Sequence, residues 1–322
     1  MNVSVIVPTY NRADLLERGI RSLLAAGVPD LEIIVVDDGG TDDSGPRMAR
    51  YPGVRYIGQQ NAGPAAARNN GFSISTGRYV AFIDSDDEWI NQGVLRLASQ
   101  LDANPDVDVI FADSAMGNDE SGFASFVETY GDGVFFTLPH EARPGGVRVM
   151  ERGTFLRRLS TKNVMFLGSM LFRRHTFERL SGFDRDLCGA ADWDVFMRAT
   201  ALGVVAFSEG PPVSKYYKHE QGMSNDRDHM ERDFINALVS VLRRSSLDSD
   251  ERKHVTHRLR EHLFGWAYNA YDAGDLTTAR ERLLLARTLG QMGSRERLFL
   301  AASYFPTGFI AMLRKSRRAI GL

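Results

Sequence analysis

An α/β fold, with a mostly parallel sheet covered by helices on both faces and a helical appendage at the C-terminus, is what the 322-residue sequence predicts. Three observations carry this. Apolar strand-like runs alternate with helix-periodic stretches over residues 1–111, the runs are nearly continuous in hydrophobicity, and from Met230 onward the pattern is helical. A β-α-β-α alternation implies parallel strands joined by crossover helices. Continuous apolar runs suit strands that are buried on both faces.

Taken in order, Val3 to Val7 reads as a buried strand, followed by a helix with Leu15, Leu16, Ile20, Leu23 and Leu24 on one face. Further strands are expected at Leu31–Val36, Val54–Ile57, Tyr79–Ile83 and Val107–Phe111, with helices around Pro64–Ser75 and Ile90–Leu101. Residues 112–150 show neither periodicity and are rich in Gly, Asp and aromatics, so a long loop or irregular subdomain is expected there. Leu263–Ala273 and Leu276–Leu289, broken at Gly274, read as a helical hairpin resembling a single tetratricopeptide unit.

Composition excludes some classes. With 43% hydrophobic and 25% charged residues and a mean hydropathy of -0.25, the chain is neither disordered nor dominated by membrane spans. Its one cysteine, Cys188, cannot form an intramolecular disulfide, and the start MNVSVIVPTYN lacks a basic segment and a long apolar segment. The expected location is cytoplasmic. Residues 251–322 carry 13 Lys and Arg against 6 Asp and Glu, which leaves the remainder at about -9. A basic tail on an acidic body argues against a nucleic-acid partner and points to something acidic near the C-terminus, such as lipid headgroups.

Three of the expected strands end in polar residues: Val7 in Pro8-Thr9-Tyr10-Asn11, Val36 in Asp37-Asp38-Gly39-Gly40, and Ile83 in Asp84-Ser85-Asp86-Asp87. Ligands of such sheets bind beyond the carboxyl ends of the strands, so these turns are expected on one rim. Crowded carboxylates raise one another's pKa unless a cation offsets them, which makes Asp84-Ser85-Asp86 a candidate divalent-metal site. Oxygen ligands suit Mg²⁺ or Mn²⁺. The competing reading is an acidic N-cap for the helix after Trp89. Neither a dinucleotide-binding glycine pattern nor a P-loop follows Val7. Tyr10 could instead stack on a base, and Asp38 could accept from a pyrimidine imide N–H or a ribose hydroxyl.

These residues resemble glycosyltransferase family 2. The resemblance rests on VSVIVPTYNR (Val3 to Arg12), EIIVVDDGGTDDS (Glu32 to Ser44), NAGPAAARNNG (Asn61 to Gly71) and GRYVAFIDSDDEW (Gly77 to Trp89). It extends through GFDRDL (Gly182 to Leu187), ADWDVFMRA (Ala191 to Ala199) and YYKHEQGMS (Tyr216 to Ser224). It implies a GT-A fold of Rossmann-like type over residues 1–225, with a donor half at 1–111 and an acceptor half at 112–225, and a helical region at 226–322. It also implies an inverting, metal-dependent transfer of a sugar from a nucleoside diphosphate, UDP or dTDP, to a glycan or lipid-linked acceptor in bacterial surface polysaccharide synthesis.

Residue by residue, the resemblance puts Pro8, Tyr10, Asn11, Arg12, Asp38, Arg68, Asp84 and Ser85 around the nucleotide, Asp86 and His219 at the metal, and Asp192 in the role of general base. Two positions depart from the family pattern. Gly40 stands where the turn usually carries Ser, a change expected to be harmless. Ala191 stands where a Glu usually precedes the catalytic Asp. That loss leaves a non-catalytic sugar-nucleotide or glycan-binding module as the alternative, with Asp194 either compensating for the missing Glu or lying on a helix surface.

The uncharged run Leu298–Leu313, flanked by basic residues from Arg295 to Arg318, is too short and too broken by Pro306 and Gly308 to span a bilayer. It is expected either to dock on an anionic membrane, making the protein peripheral on the inner face of the plasma membrane, or to pack as a terminal helix.

Overall fold

The computed structural model describes residues 2–187, 189–218 and 227–304. Cys188, His219 and the part of the tail beyond Tyr304 lie outside these residues. The chain divides into two compact units, residues 1–247 and 248–322.

In chain order the strands of the first unit are β1 (Val3–Thr9), β2 (Leu31–Asp37), β3 (Val54–Gly58), β4 (Tyr79–Phe82), β5 (Glu88–Trp89), β6 (Val109–Ala112), β7 (Ser114–Asn118), β8 (Gly122–Ser125), β9 (His140–Arg143), β10 (Val147–Met150), β11 (Met170–Arg173), β12 (Val205–Ser208) and β13 (Ser214–Tyr217). Its helices are α1 (Ala13–Ala25), α2 (Ser44–Met48), α3 (Pro64–Ile74), α4 (Gly93–Ala103), α5 (Phe126–Gly131), α6 (Arg152–Leu159), α7 (Arg174–Leu180), α8 (Ala191–Leu202) and α9 (Arg227–Arg244).

Among the described residues, nine strands form one sheet in the order β3-β2-β1-β4-β11-β6-β12-β10-β9. The expected parallel half is present: β1 pairs with β2 from Val3↔Leu31 to Thr9↔Asp37 and with β4 from Val3↔Tyr79 to Ile6↔Phe82, and β2 pairs with β3. β11 then enters antiparallel between β4 and β6, so the whole sheet is mixed. The order 3-2-1-4 places a topological switch point between β1 and β4, where an open α/β sheet presents a ligand crevice.

Alternation along the strands separates two cores. Val3, Val5, Val7, Ile33 and Val35 pack beneath Leu16, Ile20 and Leu23 of α1. On the opposite face Gly71 of α3 lies so close that an added Cβ would stand 2.4 Å from a methyl carbon of Ile6, which is why glycine is required there. Leu24 does not join the buried stripe of α1 and is 48% exposed.

Residues 112–150 are not irregular. β7 and β8 pair with each other, and β7 also pairs with β13 in a second sheet of order β5-β13-β7-β8, while β9 and β10 extend the main sheet. These strands are short and mostly exposed or half-buried at alternate or edge positions, so they carry no apolar run. Phe111, Phe135, Phe155 and Phe207 form the aromatic core that this region covers.

The second unit comprises α10 (Ser249–Ala273), α11 (Leu276–Thr288) and α12 (Ser294–Ala302). Asp248 and Glu251 form a capping box at the start of α10, and Gly274, at φ 88°, ends it in a left-handed turn. Leu263, Ala267 and Leu283 lie in the seam of this expected hairpin. Trp266 is half-buried, with the Arg282 guanidinium 4.0 Å from its ring centroid. Phe299 packs edge-on against Phe264, Tyr268 and Tyr271, so it faces its own unit. Among the described residues no helix is long and apolar enough to cross a membrane.

Candidate active site

The loops that follow β1, β2 and β4 meet at the switch point. Pro8 is buried inside β1, opposite Val36, and Tyr10 immediately beyond the strand is 50% exposed with its ring available for stacking. Asn11 takes a left-handed conformation (φ 50°) and accepts the Thr41 N–H at 2.7 Å, which ties the first loop to the second. In the second loop Asp37 accepts from Gly40 N at 2.8 Å and from the Tyr56 hydroxyl. A Cβ at Gly40 would stand 2.8 Å from Oδ1 of Asp37 and 3.1 Å from Oδ1 of Asn11. The glycine is therefore tightly enclosed by these two side chains.

Asp38 is buried, and its carboxylate accepts from Gln59 Nε2 (2.8 Å), Ala62 N (2.9 Å) and Gly63 N (2.8 Å). It thus shapes the segment leading into α3. That helix presents Arg68, which is buried and ion-paired to Asp84.

The turn after β4 gathers three acids. Asp84, Asp86 and Asp87 each offer an oxygen within 4.8 Å of the others, Ser85 is buried between them, and Arg12 pairs with Asp86. Asp87 is the acid that sequence reasoning passed over. It is 1% exposed, and burial first, then the charges of Asp86 and Asp84, push its carboxyl well above the usual range. Its position as a fourth consecutive polar residue after an apolar strand was the available signal. The N-cap reading of this stretch fails, because α4 begins only at Gly93 and has Gln92 at its cap.

Asp192 lies in the first turn of α8, half-buried, with Oδ1 accepting the Trp193 N–H at 2.7 Å. Enclosure raises its carboxyl above the ordinary value, Arg68 and the Trp193 N–H oppose that rise, and Asp84 adds to it. The Arg68–Asp84 pair is therefore close enough to act on the candidate base. Trp193 fixes the helix start by stacking on Phe234 of α9 at 3.8 Å and donating from Nε1 to Leu159 O at 2.7 Å.

Ala191 is buried. Asp194 is neither a surface residue nor a substitute for the missing Glu. It is fully buried and accepts from Arg198, whose remaining donors reach Leu180 O (2.7 Å) and Gly182 O (2.9 Å). A carboxylate enclosed in that pair holds a turn and cannot serve an acceptor.

Two buried polar atoms at this edge, Thr9 Oγ1 and Arg68 Nε, have no hydrogen-bond partner among the described residues. Buried polar groups are ordinarily satisfied, so their position beside the acidic turn fits a polar ligand.

The family model for Glycosyl transferase family 2 matches residues 4–177, more than half of the chain. The chain belongs to glycosyltransferase family 2. Among curated relatives, the uncharacterized glycosyltransferase YibD of Escherichia coli is 45% identical over 91 residues, which are 27% of this chain and 26% of that protein. The uncharacterized glycosyltransferase EpsJ of Bacillus subtilis is 31% identical over 267 residues, 80% of this chain and 68% of that one. The uncharacterized glycosyltransferase alr2836 of Nostoc sp. is 37% identical over 127 residues, 38% of this chain and 39% of that protein.

Among solved structures, residues 1–349 of S. aureus TarS in complex with UDP-GlcNAc superpose with a TM-score of 0.64 at 18% identity, covering 94% of this chain and 89% of that one. The mannosyltransferase PcManGT of Pyrobaculum calidifontis, in complex with GDP-Man and Mn²⁺, gives 0.57 at 21% identity, covering 99% and 82%. The family 2 chain therefore has the GT-A fold, a mixed sheet layered with helices, followed by C-terminal helices.

Proposed function

We propose that this family 2 protein transfers a sugar from a UDP- or dTDP-linked donor to a hydroxyl of a glycan or lipid-linked acceptor, with inversion at the anomeric carbon and with Mn²⁺ or Mg²⁺ as cofactor. One observation carries the reading: Arg68 pairs with Asp84, and both charges act on the carboxyl of Asp192. Donor-binding and proton-accepting groups thus belong to one site.

Tyr10 stacks on the base, with Pro8 and Asn11 shaping the wall beside it. Asp38 supports this pocket, since its carboxylate orders the 59–63 segment. Arg12 and Arg68 supply positive charge to a diphosphate. Asp84, Ser85 and Asp86 form the turn that receives it. The acidic set fits a divalent cation, because three clustered carboxyls, one of them buried with its pKa pushed up by burial and by its acidic neighbours, are relieved by a positive charge. Asp86, with Asp84 nearby and His219 from outside the described residues, would hold it. When bound, the ion offsets charge that develops on the departing diphosphate. PcManGT, whose structure contains Mn²⁺ and GDP-Man, supports this assignment by fold.

Asp192 accepts the proton of the attacking acceptor hydroxyl. Its raised pKa makes it a stronger base than an exposed carboxylate, and the Trp193 N–H and Arg68 oppose part of that rise by favouring the ionised form. Placed on the face of C1 opposite the diphosphate, it directs one in-line displacement, and an α-linked donor gives a β-glycoside. TarS, with its UDP-GlcNAc complex, supports a UDP-linked donor, and the Bacillus subtilis relative TuaG, named for teichuronic acid biosynthesis, supports an acceptor in surface polysaccharide assembly. The basic tail from 295 to 318 suits a lipid-linked acceptor held at an anionic membrane, with Phe299 excluded from that contact by its packing.

The test is a panel of UDP-, dTDP- and GDP-sugars with Mn²⁺ or Mg²⁺, scored for released nucleotide with and without lipid-linked acceptors. Turnover on a uridine or thymidine donor supports the proposal. Donor binding without turnover under all these conditions would instead establish a sugar-nucleotide-binding module, the reading that Ala191 raises.

A further inference from the structure

We infer that Arg18, on α1, is a positioning residue that holds the acidic turn in its ligand-ready geometry. The inference rests on the reading above, that the turn faces the donor diphosphate and its metal ion. Arg18 has no part in that reading.

The helix is seated against the turn along one face. A Cβ on Gly19 would stand 3.1 Å from Asp87 O and 3.3 Å from Ser85 O, so α1 sits against the turn more tightly than most side-chain-bearing positions allow. One helical turn on, Ser22 Oγ accepts the Trp89 N–H at 3.1 Å and donates to Gly19 O at 2.7 Å. Contact over residues 19 and 22 fixes the base of the turn. It does not by itself orient Asp86.

Arg18 supplies that orientation. Its Nη2 donates to the backbone carbonyl of Asp86 at 2.6 Å, its Nε lies 2.9 Å from Oε1 of Glu88, and its guanidinium carbon lies 3.9 Å from the Tyr217 ring centroid. Tyr217 closes the arrangement from β13, donating from its backbone N–H to Oδ1 of buried Asp87 at 3.1 Å and from its hydroxyl to Glu88 at 3.1 Å. One guanidinium therefore joins helix α1, the acidic turn and strand β13. Fixing the Asp86 carbonyl fixes the peptide plane from which the Asp86 carboxylate projects. Lysine carries the same charge but has neither the fork nor the flat face, so it cannot make these three contacts together.

The arrangement can be broken without emptying a core. A cleft of about 440 Å³, lined by residues including Arg18, Ser22, Arg47 and Glu88, opens on the outer side, and the Arg18 side chain is 35% exposed. Removing the guanidinium leaves Glu88 within reach of water, which favours a folded variant with a loosened turn.

The experiment measures Mn²⁺ affinity of the full chain by electron paramagnetic resonance of the free ion, with and without UDP, for wild type, Arg18→Ala, Arg18→Lys and Asp86→Ala. Outer-shell groups at metal sites typically change affinity by 10- to 100-fold. The expected result is a loss of about 10-fold in Arg18→Ala, at most partial recovery in Arg18→Lys, and no resolved binding in Asp86→Ala. Circular dichroism checks the fold; should Arg18→Ala be unfolded, Arg18→Lys decides. Wild-type Mn²⁺ affinity in Arg18→Ala, or in Arg18→Lys where that variant decides, with binding still lost in Asp86→Ala, overturns the positioning role while leaving the donor site intact. Wild-type affinity in Asp86→Ala overturns the donor-site reading and the positioning role with it.

Discussion

The two halves of the large unit share one sheet but hold their polar residues in different ways. From β3 to β4 neighbouring strands run parallel, and the polar turns that follow β1, β2 and β4 come out along the crevice edge as a consequence of strand order. Beyond β4 the sheet reverses at β11, and β6 pairs with β12 across almost a hundred residues of chain. Asp192 is delivered there by α8, whose start is set by Trp193 against Phe234 and Leu159. The lesson is that most of the proposed donor groups stand in turns at strand ends, with Arg68 added from α3, whereas the proposed base stands on a helix placed by long-range packing. Damage in the first half should remove ligand binding, and damage in the second should remove turnover while binding survives.

The largest effect expected is for Asp86→Ala, which abolishes Mn²⁺-dependent UDP binding because the diphosphate loses its charge compensation. Isothermal titration with UDP and Mn²⁺ measures it. Asp192→Asn comes next and lowers kcat by about 10²-fold or more, with donor affinity retained, as expected on removal of a general base. Transfer at a near wild-type rate would place the base elsewhere and erase the contrast between the halves.

Stability sharpens the same comparison. Asp194→Ala leaves Arg198 buried without its carboxylate, and loss of one partner of a buried pair costs about 3–5 kcal/mol in denaturant unfolding. In the Arg143–Asp106 pair at the outer edge of the sheet the Asp106 side chain is 54% exposed, and Asp106→Ala is expected to cost no more than about 1 kcal/mol. Comparable losses in the two variants would show that α8 is not held as described.

The smallest effect expected is a pH dependence of metal stabilisation. Asp87 has a folded pKa raised above its unfolded value, so the folded state binds the extra proton and its stability falls as pH rises through the raised pKa. A divalent ion counters the charge that appears there. The rise in Tm on adding Mn²⁺ should therefore grow as pH is raised above the ordinary carboxylate range, a trend that scanning calorimetry reads directly.

Legibility followed the same division. β1, β2 and α3 were visible because each is a local signal, an apolar run or a Pro-led helix bounded by polar turn residues, and their motifs fall in these same turns. β7 to β10 were invisible because they are short, and the outer strands β8 (Gly122–Ser125) and β9 (His140–Arg143) have little apolar content, so neither hairpin carries a long apolar run. Asp194 misled for a different reason. Its helical spacing suggested a surface, and only the packed fold shows Arg198 reaching from it to the Leu180–Gly182 turn.

The most direct test of the central claim is a crystal structure with UDP and Mn²⁺, with the ion located by anomalous scattering. The account predicts an anomalous peak beside Asp86 that touches the diphosphate, the uracil against Tyr10, and the Asp192 carboxylate facing the open space beyond the β-phosphate. Nucleotide bound away from the β1/β4 crevice, or an ion that does not approach Asp86, would contradict it.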